Sequence, residues 1–146
     1  MSTFRPRQFG NPILRRVARQ LSQTEIKEDT VQNLIADMHE SLGRKNYGVG
    51  LAAPQVGYSI AVAVVGMKPT PTRPDTPKLK LTLINPVIVS VSAKRQPAWE
   101  GCLSGPALYG QALRYPKVRL RWTDQNGKIH NRNLRSRDFA RQQHRH

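Results

Sequence analysis

The apolar positions between residues 22 and 42 recur every three or four residues, which is the spacing of one helix face. They are Ile26, Val31, Leu34, Ile35, Met38 and Leu42. Ser22 and Glu25 have the spacing of a capping box, and Gly43 followed by two basic residues is typical of a helix end. The pattern predicts one long amphipathic helix over residues 22–42.

The rest of the chain predicts strands and loops. The segments rich in β-branched residues are Ser59–Gly66, Leu79–Ile84 and Val87–Val91, and the last two flank Asn85-Pro86. Apolar and basic residues alternate over Lys117–Thr123, so Val118, Leu120 and Trp122 share one face, and the DQNGK that follows predicts a tight turn. The four prolines in MKPTPTRPDTPK predict a loop. The fold class is therefore α+β, with mostly antiparallel strands around a long N-terminal helix.

Length and composition narrow the class of protein. The 146 residues fit a single domain. The longest apolar run, Ile60–Val65, is far shorter than the ~20 residues that cross a bilayer, so we expect no membrane partner. The N-terminal MSTFRPRQFGNP has no apolar run after its basic residues and does not resemble a secretory signal. A single cysteine excludes an internal disulfide and favours a reducing compartment.

Positive charge is concentrated in the last third of the chain. The net charge is +15, and from residue 114 onward only Asp124 and Asp138 oppose ten basic residues. These are Arg114, Lys117, Arg119, Arg121, Lys128, Arg132, Arg135, Arg137, Arg141 and Arg145. Such a segment attracts phosphate backbones, which favours contact with RNA or the ribosome. The alternative is a solvated basic face, since no aromatic-interleaved nucleic-acid motif is present.

Two short motifs carry candidate chemistry. In GVGLAAPQVG, residues 48–57, Gly48 and Gly50 permit close approach of a ligand, and Gln55 offers both a donor and an acceptor. In WEGCLSG, residues 99–105, the only cysteine, Cys102, follows Glu100. Each motif alone also fits a simpler interpretation, a turn or a small buried thiol. As a thiolate, Cys102 could serve as a nucleophile or as a metal ligand.

In this order, about fifty residues apart, GVGLAAPQ and EGCLS resemble the first two motifs of the peptide deformylase family. The segments IADMHESL, LINPVI and RYPKVRLRWTDQNGK resemble further parts of the family, so the resemblance covers nearly the whole chain. It implies the deformylase fold. It also implies metal-dependent removal of the N-formyl group from the initiator methionine of nascent polypeptides, with N-formylmethionyl peptides as substrate.

The resemblance also implies roles for individual residues. Cys102 would be a ligand of the metal. The metal would typically be Fe²⁺, which Zn²⁺, Ni²⁺ or Co²⁺ can replace. Gln55 and the backbone N–H of Leu103 would polarise the formyl oxygen. Gly50 would admit the substrate, and Glu100 would help to hold the site together. The residues assigned to the substrate side are Val49, Gly50, Glu100 and Leu103.

The family's third motif, HExxH, does not occur in this sequence. The sequence ends SRDFARQQHRH, which places His144 where the first metal-binding imidazole belongs and Arg145 where the glutamate general base belongs. His144 is the candidate second ligand. His146 lies on a different side of a helix from His144, so both bind one ion only in a frayed or extended tail. An arginine cannot accept a proton from metal-bound water.

The other two histidines have simpler interpretations. HESLG, beginning at His39, matches only the start of HExxH, because its fifth residue is Gly43. The sequence predicts that His39 lies on the surface of the helix. His130 is predicted to lie on a polar strand face.

The sequence therefore predicts a single deformylase-like domain over residues 1–146, with its C-terminal metal-binding helix truncated or missing. Frameshift, truncation and genuine loss are alternative causes. The first function hypothesis is a family member whose metal site is incomplete. The second is a working deformylase that uses Cys102, His144 and His146 or a water. The third is an inactive protein that binds the ribosome, RNA or a nascent peptide. The expected location is the bacterial cytoplasm, with an organelle as the alternative.

Overall fold

A computed structural model describes residues 6–44, 50–69, 71, 74–75, 78–102 and 105–135, with the backbone alone for residues 98–102, 105–112 and 135. The helices are two 3₁₀ turns, Pro12–Arg15 and Ala53–Val56, and the α-helices α1, Gln23–Ile26, and α2, Asp29–Gly43. The strands are β1, Gly50–Ala52; β2, Val62–Met67; β3, Leu79–Val91; β4, Gln96–Cys102; β5, Gly105–Arg114; β6, Lys117–Thr123; and β7, Ile129–Arg135.

Antiparallel pairing organises the strands. Five of them form one sheet in the order β1-β2-β3-β6-β7, and β4 and β5 form a separate two-stranded hairpin. The first half of β3, Leu79–Ile84, pairs with β2, whereas Ile84 and the second half of β3, Val87–Val91, pair with β6. The mixture of helices and antiparallel strands confirms the predicted α+β class.

The helix predicted over residues 22–42 is two helices, so the prediction of one continuous helix is wrong. Ser22 caps α1 through the predicted capping box, in which its Oγ accepts from Glu25 N–H and its own N–H donates to Glu25 Oε1, both at 3.2 Å. The chain then turns, and α2 begins after Glu28. Gln32 of α2 donates from Nε2 to the Ile26 carbonyl at 2.7 Å. This bond provides a partner for a carbonyl that has no intrahelical donor, because the helix ends there.

The core lies between α2 and the first strands of the five-stranded sheet. Met38, Ala53, Val64 and Ile84 are completely buried. The remaining buried apolar side chains of this cluster include Ile26, Leu34, Ile35, Leu42, Leu51, Val56 and Val62. The periodic apolar face of the sequence is therefore the buried face of α2, as the pattern predicts.

Strand β3 bends at Asn85, which is the one non-glycine position with a positive φ, 51°, among the described residues. The pairing with β6 shifts register between Ile84 and Val87, which is a β-bulge. Asn85 Oδ1 accepts from Leu21 N–H at 2.9 Å, and Asn85 Nδ2 donates to the Leu21 carbonyl at 2.7 Å. The two strands predicted around Asn85-Pro86 are therefore one strand with a bulge.

The other strand predictions hold in part. Strand β6 has the predicted bounds, and Trp122 is buried while Arg119 and Arg121 on the alternate face are exposed. Strand β2 begins at Val62 rather than Ser59, because Arg19 N–H bonds the Ser59 carbonyl at 3.0 Å and Ala61 N–H bonds the Arg19 carbonyl at 2.8 Å. Strands β4, β5 and β7 are absent from the sequence-based prediction. Within the described ranges, no helix has the length and apolar character needed to cross a membrane.

Candidate active site

The segment from Gly50 to Gly57 is a short edge strand followed by one 3₁₀ turn. The turn is closed by its own side chain, because Gln55 Oε1 accepts from Ala52 N–H at 2.9 Å. This bond fixes the plane of the Gln55 amide against the backbone. Gly57 ends the turn at a φ of 97°, a conformation that residues with a Cβ rarely adopt.

The N-terminal segment supports this turn from outside. Arg7 N–H donates to the Gln55 carbonyl. The guanidinium of Arg7 lies so close to Gly57 that a Cβ there would come within 2.8 Å of Arg7 Nη2. Gly57 is thus required by its backbone conformation, whereas the end of the flexible Arg7 side chain could move to admit a Cβ. Sequence reasoning missed Arg7, which no motif marks.

Gly50 lies at the start of β1, the edge strand of the five-stranded sheet. Among the described residues, a Cβ at this position would meet only the Val64 carbonyl oxygen, at an ordinary contact distance of 3.7 Å. The neighbouring chain therefore leaves room for a side chain, and Gly50 is exposed. The predicted role of Gly50 in admitting a ligand stays a prediction, and Val49 lies outside the described residues.

The cysteine motif lies on the separate hairpin. Glu100 and Cys102 belong to β4, where Cys102 pairs with Gly105 after a register shift at Gly101. Their side chains, and the whole of Leu103 and His144, lie outside what the structure describes. Gly50 and Gln55 share one segment, and Glu100 and Cys102 share one strand of a different sheet. The assignment of Cys102 and His144 as metal ligands therefore stays a prediction.

His39 is not a simple surface residue, so that prediction is wrong. Its Nε2 is hydrogen-bonded to Thr82 Oγ1 at 2.9 Å, and the ring is half-buried between α2 and β3. Burial, and secondarily the charge of Lys80, lowers the pKa of His39 to about 4. The imidazole is therefore neutral at physiological pH.

His130 is also engaged. Its ring stacks on Trp122 with centroids 5.1 Å apart, and its Nε2 lies 2.7 Å from Asp124 Oδ2. The hydrogen bond from His130 is the main cause of the lowered pKa of Asp124, and the backbone N–H groups of Lys128 and Asn126 add to it. This contact closes the turn that the sequence predicts between β6 and β7.

The comparison with known families agrees with the motifs. The family model described as polypeptide deformylase matches residues 7–144. The chain belongs to the peptide deformylase family. A peptide deformylase of Leptospira biflexa is 42% identical over 120 residues, which are 81% of this chain and 66% of that protein. Peptide deformylase 2 of a Nostoc strain is 37% identical over 128 residues, covering 87% of this chain and 70% of that protein.

Solved deformylases share the fold. The class I type b peptide deformylase of Acinetobacter baumannii, bound to Met-Ala-Ser, matches with a TM-score of 0.85 and 31% identity over 99% of this chain and 91% of that chain. The peptide deformylase of Thermotoga maritima matches with a TM-score of 0.81 and 29% identity over 99% and 90%. The chain spans 66% of the length of the Leptospira relative, just under two thirds.

Peptide deformylases are metalloenzymes, so the described side chains were compared with the ligand groups that hold metal ions. Among the described residues, no three His, Cys, Asp or Glu side chains come together in a group that could hold a metal ion. His39 is bonded to Thr82, and His130 to Asp124. The predicted ligands, Cys102 and His144, are not among the described side chains, so their assignment stays a prediction.

The low pKa of His39 predicts a pH-dependent stability. Between about pH 4 and pH 6.5, the unfolded chain protonates this imidazole and the folded chain does not. The folded state binds fewer protons, so the free energy of unfolding rises with pH in this window and falls as the pH is lowered. We expect the thermal midpoint of His39→Gln to change less between pH 7 and pH 4.5 than that of the unchanged protein. Parallel pH profiles of the two proteins would contradict this explanation.

Proposed function

We propose that the protein recognises N-formylmethionyl peptides, and that it lacks the general base that hydrolysis of the formyl group needs. The observation that carries this proposal is the fixed amide of Gln55, whose Oε1 is held by Ala52 N–H. Family membership and the Met-Ala-Ser peptide bound to the similar Acinetobacter deformylase support a peptide ligand. Arg145, at the place of the family's glutamate general base, supports the lack of turnover.

Gln55 is the group that would recognise the formyl oxygen. An amide side chain has one acceptor oxygen and two N–H donors on its nitrogen. The Ala52 bond commits the oxygen to the backbone and so directs Nε2 to the opposite side of the amide. A rigid donor binds a carbonyl oxygen with less loss of side-chain entropy than a mobile one. Cys102 would add a thiolate.

Turnover needs more than these groups. Hydrolysis of a formamide at neutral pH needs an activated water and a proton acceptor. In the family pattern the acceptor is the glutamate of HExxH, whereas Arg145 stands at that place and cannot accept a proton. We therefore propose that a polypeptide of these 146 residues binds formylated peptides and releases no formate from them.

A pair of Gln55 variants separates recognition from folding. Gln55→Glu keeps an acceptor for Ala52 N–H and removes the N–H donors, whereas Gln55→Ala removes both. We expect Gln55→Glu to retain the thermal midpoint but to bind N-formyl-Met-Ala-Ser roughly tenfold more weakly, because the formyl oxygen loses its donor. The measurement is titration calorimetry, with Met-Ala-Ser as the unformylated control. Equal affinity of Gln55→Glu and the unchanged protein would contradict the proposed role of Gln55.

Formate release tests the second half of the proposal. The protein is loaded with Fe²⁺ without oxygen, or with Ni²⁺, and incubated with N-formyl-Met-Ala-Ser. We expect no formate above the background of Cys102→Ala. Formate release that Cys102→Ala abolishes would show a working deformylase instead. Failure to bind any formylated peptide would overturn recognition itself.

A second candidate function is RNA binding, which the row of cations on β6 favours. Lys117, Arg119 and Arg121 alternate along β6 and are exposed. Arg119 Nε donates to Asn131 Oδ1 at 2.8 Å, which orients the guanidinium without neutralising it. Among the described residues, the ion pairs of carboxylates lie elsewhere, at Arg19, Arg44 and His130. The row therefore keeps its charge for a phosphate backbone.

Salt dependence tests this candidate. The affinity for a fluorescent single-stranded RNA is measured by anisotropy between 50 and 200 mM salt, roughly the range over which counterion release is visible. We expect Arg119→Gln and Arg121→Gln each to reduce the slope of log K against log salt by about 1. Arg15→Gln, an exposed arginine on the N-terminal 3₁₀ turn, serves as the control. Equal slopes in all variants would exclude the β6 row as the RNA contact.

A further inference from the structure

A cavity lies between α2 and the sheet, and Gln55 is not among the residues that line it. Its volume is about 440 Å³, and it is lined by His39 of α2, Lys80 and Thr82 of β3, and Trp122, His130 and Arg132 of β6 and β7. None of these residues belongs to GVGLAAPQ or EGCLS, which carry the site proposed for the formylated peptide, although His39 and Trp122 lie in the further segments that resemble the family.

The wall of this cavity is rigid on its aromatic side. Trp122 is 2% exposed, and His130 stacks on it with an interplanar angle of 16°. The guanidinium of Arg132 lies over the Trp122 ring, with Cζ 5.7 Å from the centroid. A cation–π contact of this kind holds the Arg132 side chain in place while leaving its charge intact. Arg132 is thus already oriented at the cavity.

The one acidic residue in the cavity wall is satisfied by other partners. Asp124 Oδ1 accepts from the N–H groups of Asn126 and Lys128, at 2.9 and 3.0 Å. Its Oδ2 is bonded to His130. Within the described part of the chain, no carboxylate forms an ion pair with Lys80 or Arg132. Among the described residues, Lys80, Arg132 and the Asp124 carboxylate line the cavity, and neither cation forms an ion pair, so positive charge is in excess there.

His39 adds a polar group that can respond to an anion. Its Nε2 is fixed by Thr82, so the ring is oriented beside Lys80. The charged groups that face it are Lys80, Arg132, Asp124 and, when protonated, His130. Burial, and secondarily the charge of Lys80, disfavours a protonated His39, and a bound anion would offset the Lys80 charge.

We propose that this cavity binds a small oxyanion, a phosphate or carboxylate group, between Lys80 and Arg132. Charge-assisted hydrogen bonds from an ammonium and a guanidinium are the usual contacts of such groups in proteins. The volume leaves space for an organic body attached to the oxyanion. Trp122 is covered by its two neighbours, so recognition comes from the cations and not from ring stacking.

The test is a titration of the protein with inorganic phosphate, acetate and chloride at one ionic strength. Proton NMR follows the His39 ring, which a His39→Gln spectrum identifies. We expect phosphate to shift the His39 signal in a saturable way and to raise the pH at which this ring protonates. A response to phosphate but not acetate assigns a phosphate ligand, and the reverse assigns a carboxylate. A response to chloride of equal size would overturn the proposal.

Charge-removing variants complete the test. We expect Lys80→Met and Arg132→Met each to weaken binding of the effective anion about tenfold, since each removes one charge-assisted contact. The controls are Lys78→Met and Arg15→Met, which remove exposed cations that do not line the cavity. Thermal midpoints confirm that all four variants fold. Equal weakening in the controls, or none in Lys80→Met and Arg132→Met, would show that binding reflects only the overall positive charge.

Discussion

Replacement of Trp122 by alanine is expected to lower the free energy of unfolding by about 3–5 kcal/mol. Among the described residues, Trp122 is the largest of the almost completely buried side chains, at 2% exposure. Its loss leaves a cavity that the surrounding backbone can fill only in part, and it removes the stacking partner of His130. Domains of this size are stable by only about 5–15 kcal/mol, so a large share of the total would be lost.

Urea unfolding followed by circular dichroism measures this effect. Trp122→Phe keeps an aromatic ring beside His130 and should cost clearly less than Trp122→Ala. Val17→Ala is the surface control, because Val17 is 96% exposed and such changes alter stability by at most about 0.5 kcal/mol. A loss below about 1 kcal/mol for Trp122→Ala would mean that this part of the core is not packed as described.

The second large effect is expected at Asn85. Asn85→Ala removes both hydrogen bonds to the Leu21 backbone and places a methyl-bearing residue at a φ of 51°. The partly buried Leu21 N–H and carbonyl lose their partners, which costs about 1–3 kcal/mol, and the left-handed backbone costs roughly 1 kcal/mol more. We expect a total loss of about 3 kcal/mol.

Three further variants separate the two causes. Asn85→Gly relieves the backbone conformation but not the lost bonds, so it should be less harmful than Asn85→Ala. Asn85→Asp keeps the acceptor for Leu21 N–H and loses the donor, so it should lie between the unchanged protein and Asn85→Ala. Asn133→Ala, at an exposed asparagine of β7, should have almost no effect. If Asn85→Ala behaved like Asn133→Ala, Asn85 would not join the N-terminal segment to β3.

The sequence predicts much of the fold because periodicity reports burial directly. The apolar spacing identifies the buried face of α2, and the alternation over Lys117–Thr123 gives the bounds of β6. It does not show the break after α1, because Lys27 and Glu28 are ordinary helix-forming residues and the Gln32 bond that bridges the break depends on tertiary structure. It also misses β4, β5 and β7, whose polar or glycine-containing segments lack the β-branched pattern.

The sequence predicts which motifs form the candidate site better than it predicts the contacts that hold them in place. GVGLAAPQ and EGCLS resemble the family motifs, and the family match agrees with them. The support of Gln55 by Arg7 and the half-buried position of His39 have no local sequence signal, because each depends on residues more than forty positions away. The Asn85-Pro86 pair is typical of a turn, and in the structure it lies at the bulge where β3 changes its pairing strand.

The shared pairing of β3 has a consequence for synthesis. The ribosome finishes the second half of β3 when it adds Val91, but it makes the pairing strand β6, Lys117–Thr123, only later. At about 5–20 residues per second, translation of the intervening segment and β6 takes roughly two to six seconds. During that interval the newly made protein carries an open sheet edge that includes Val87, Ile88 and Val91, which stay partly exposed even in the finished fold. Chaperones that hold apolar edges would be expected to engage the growing polypeptide at this stage and to release it once β6 pairs.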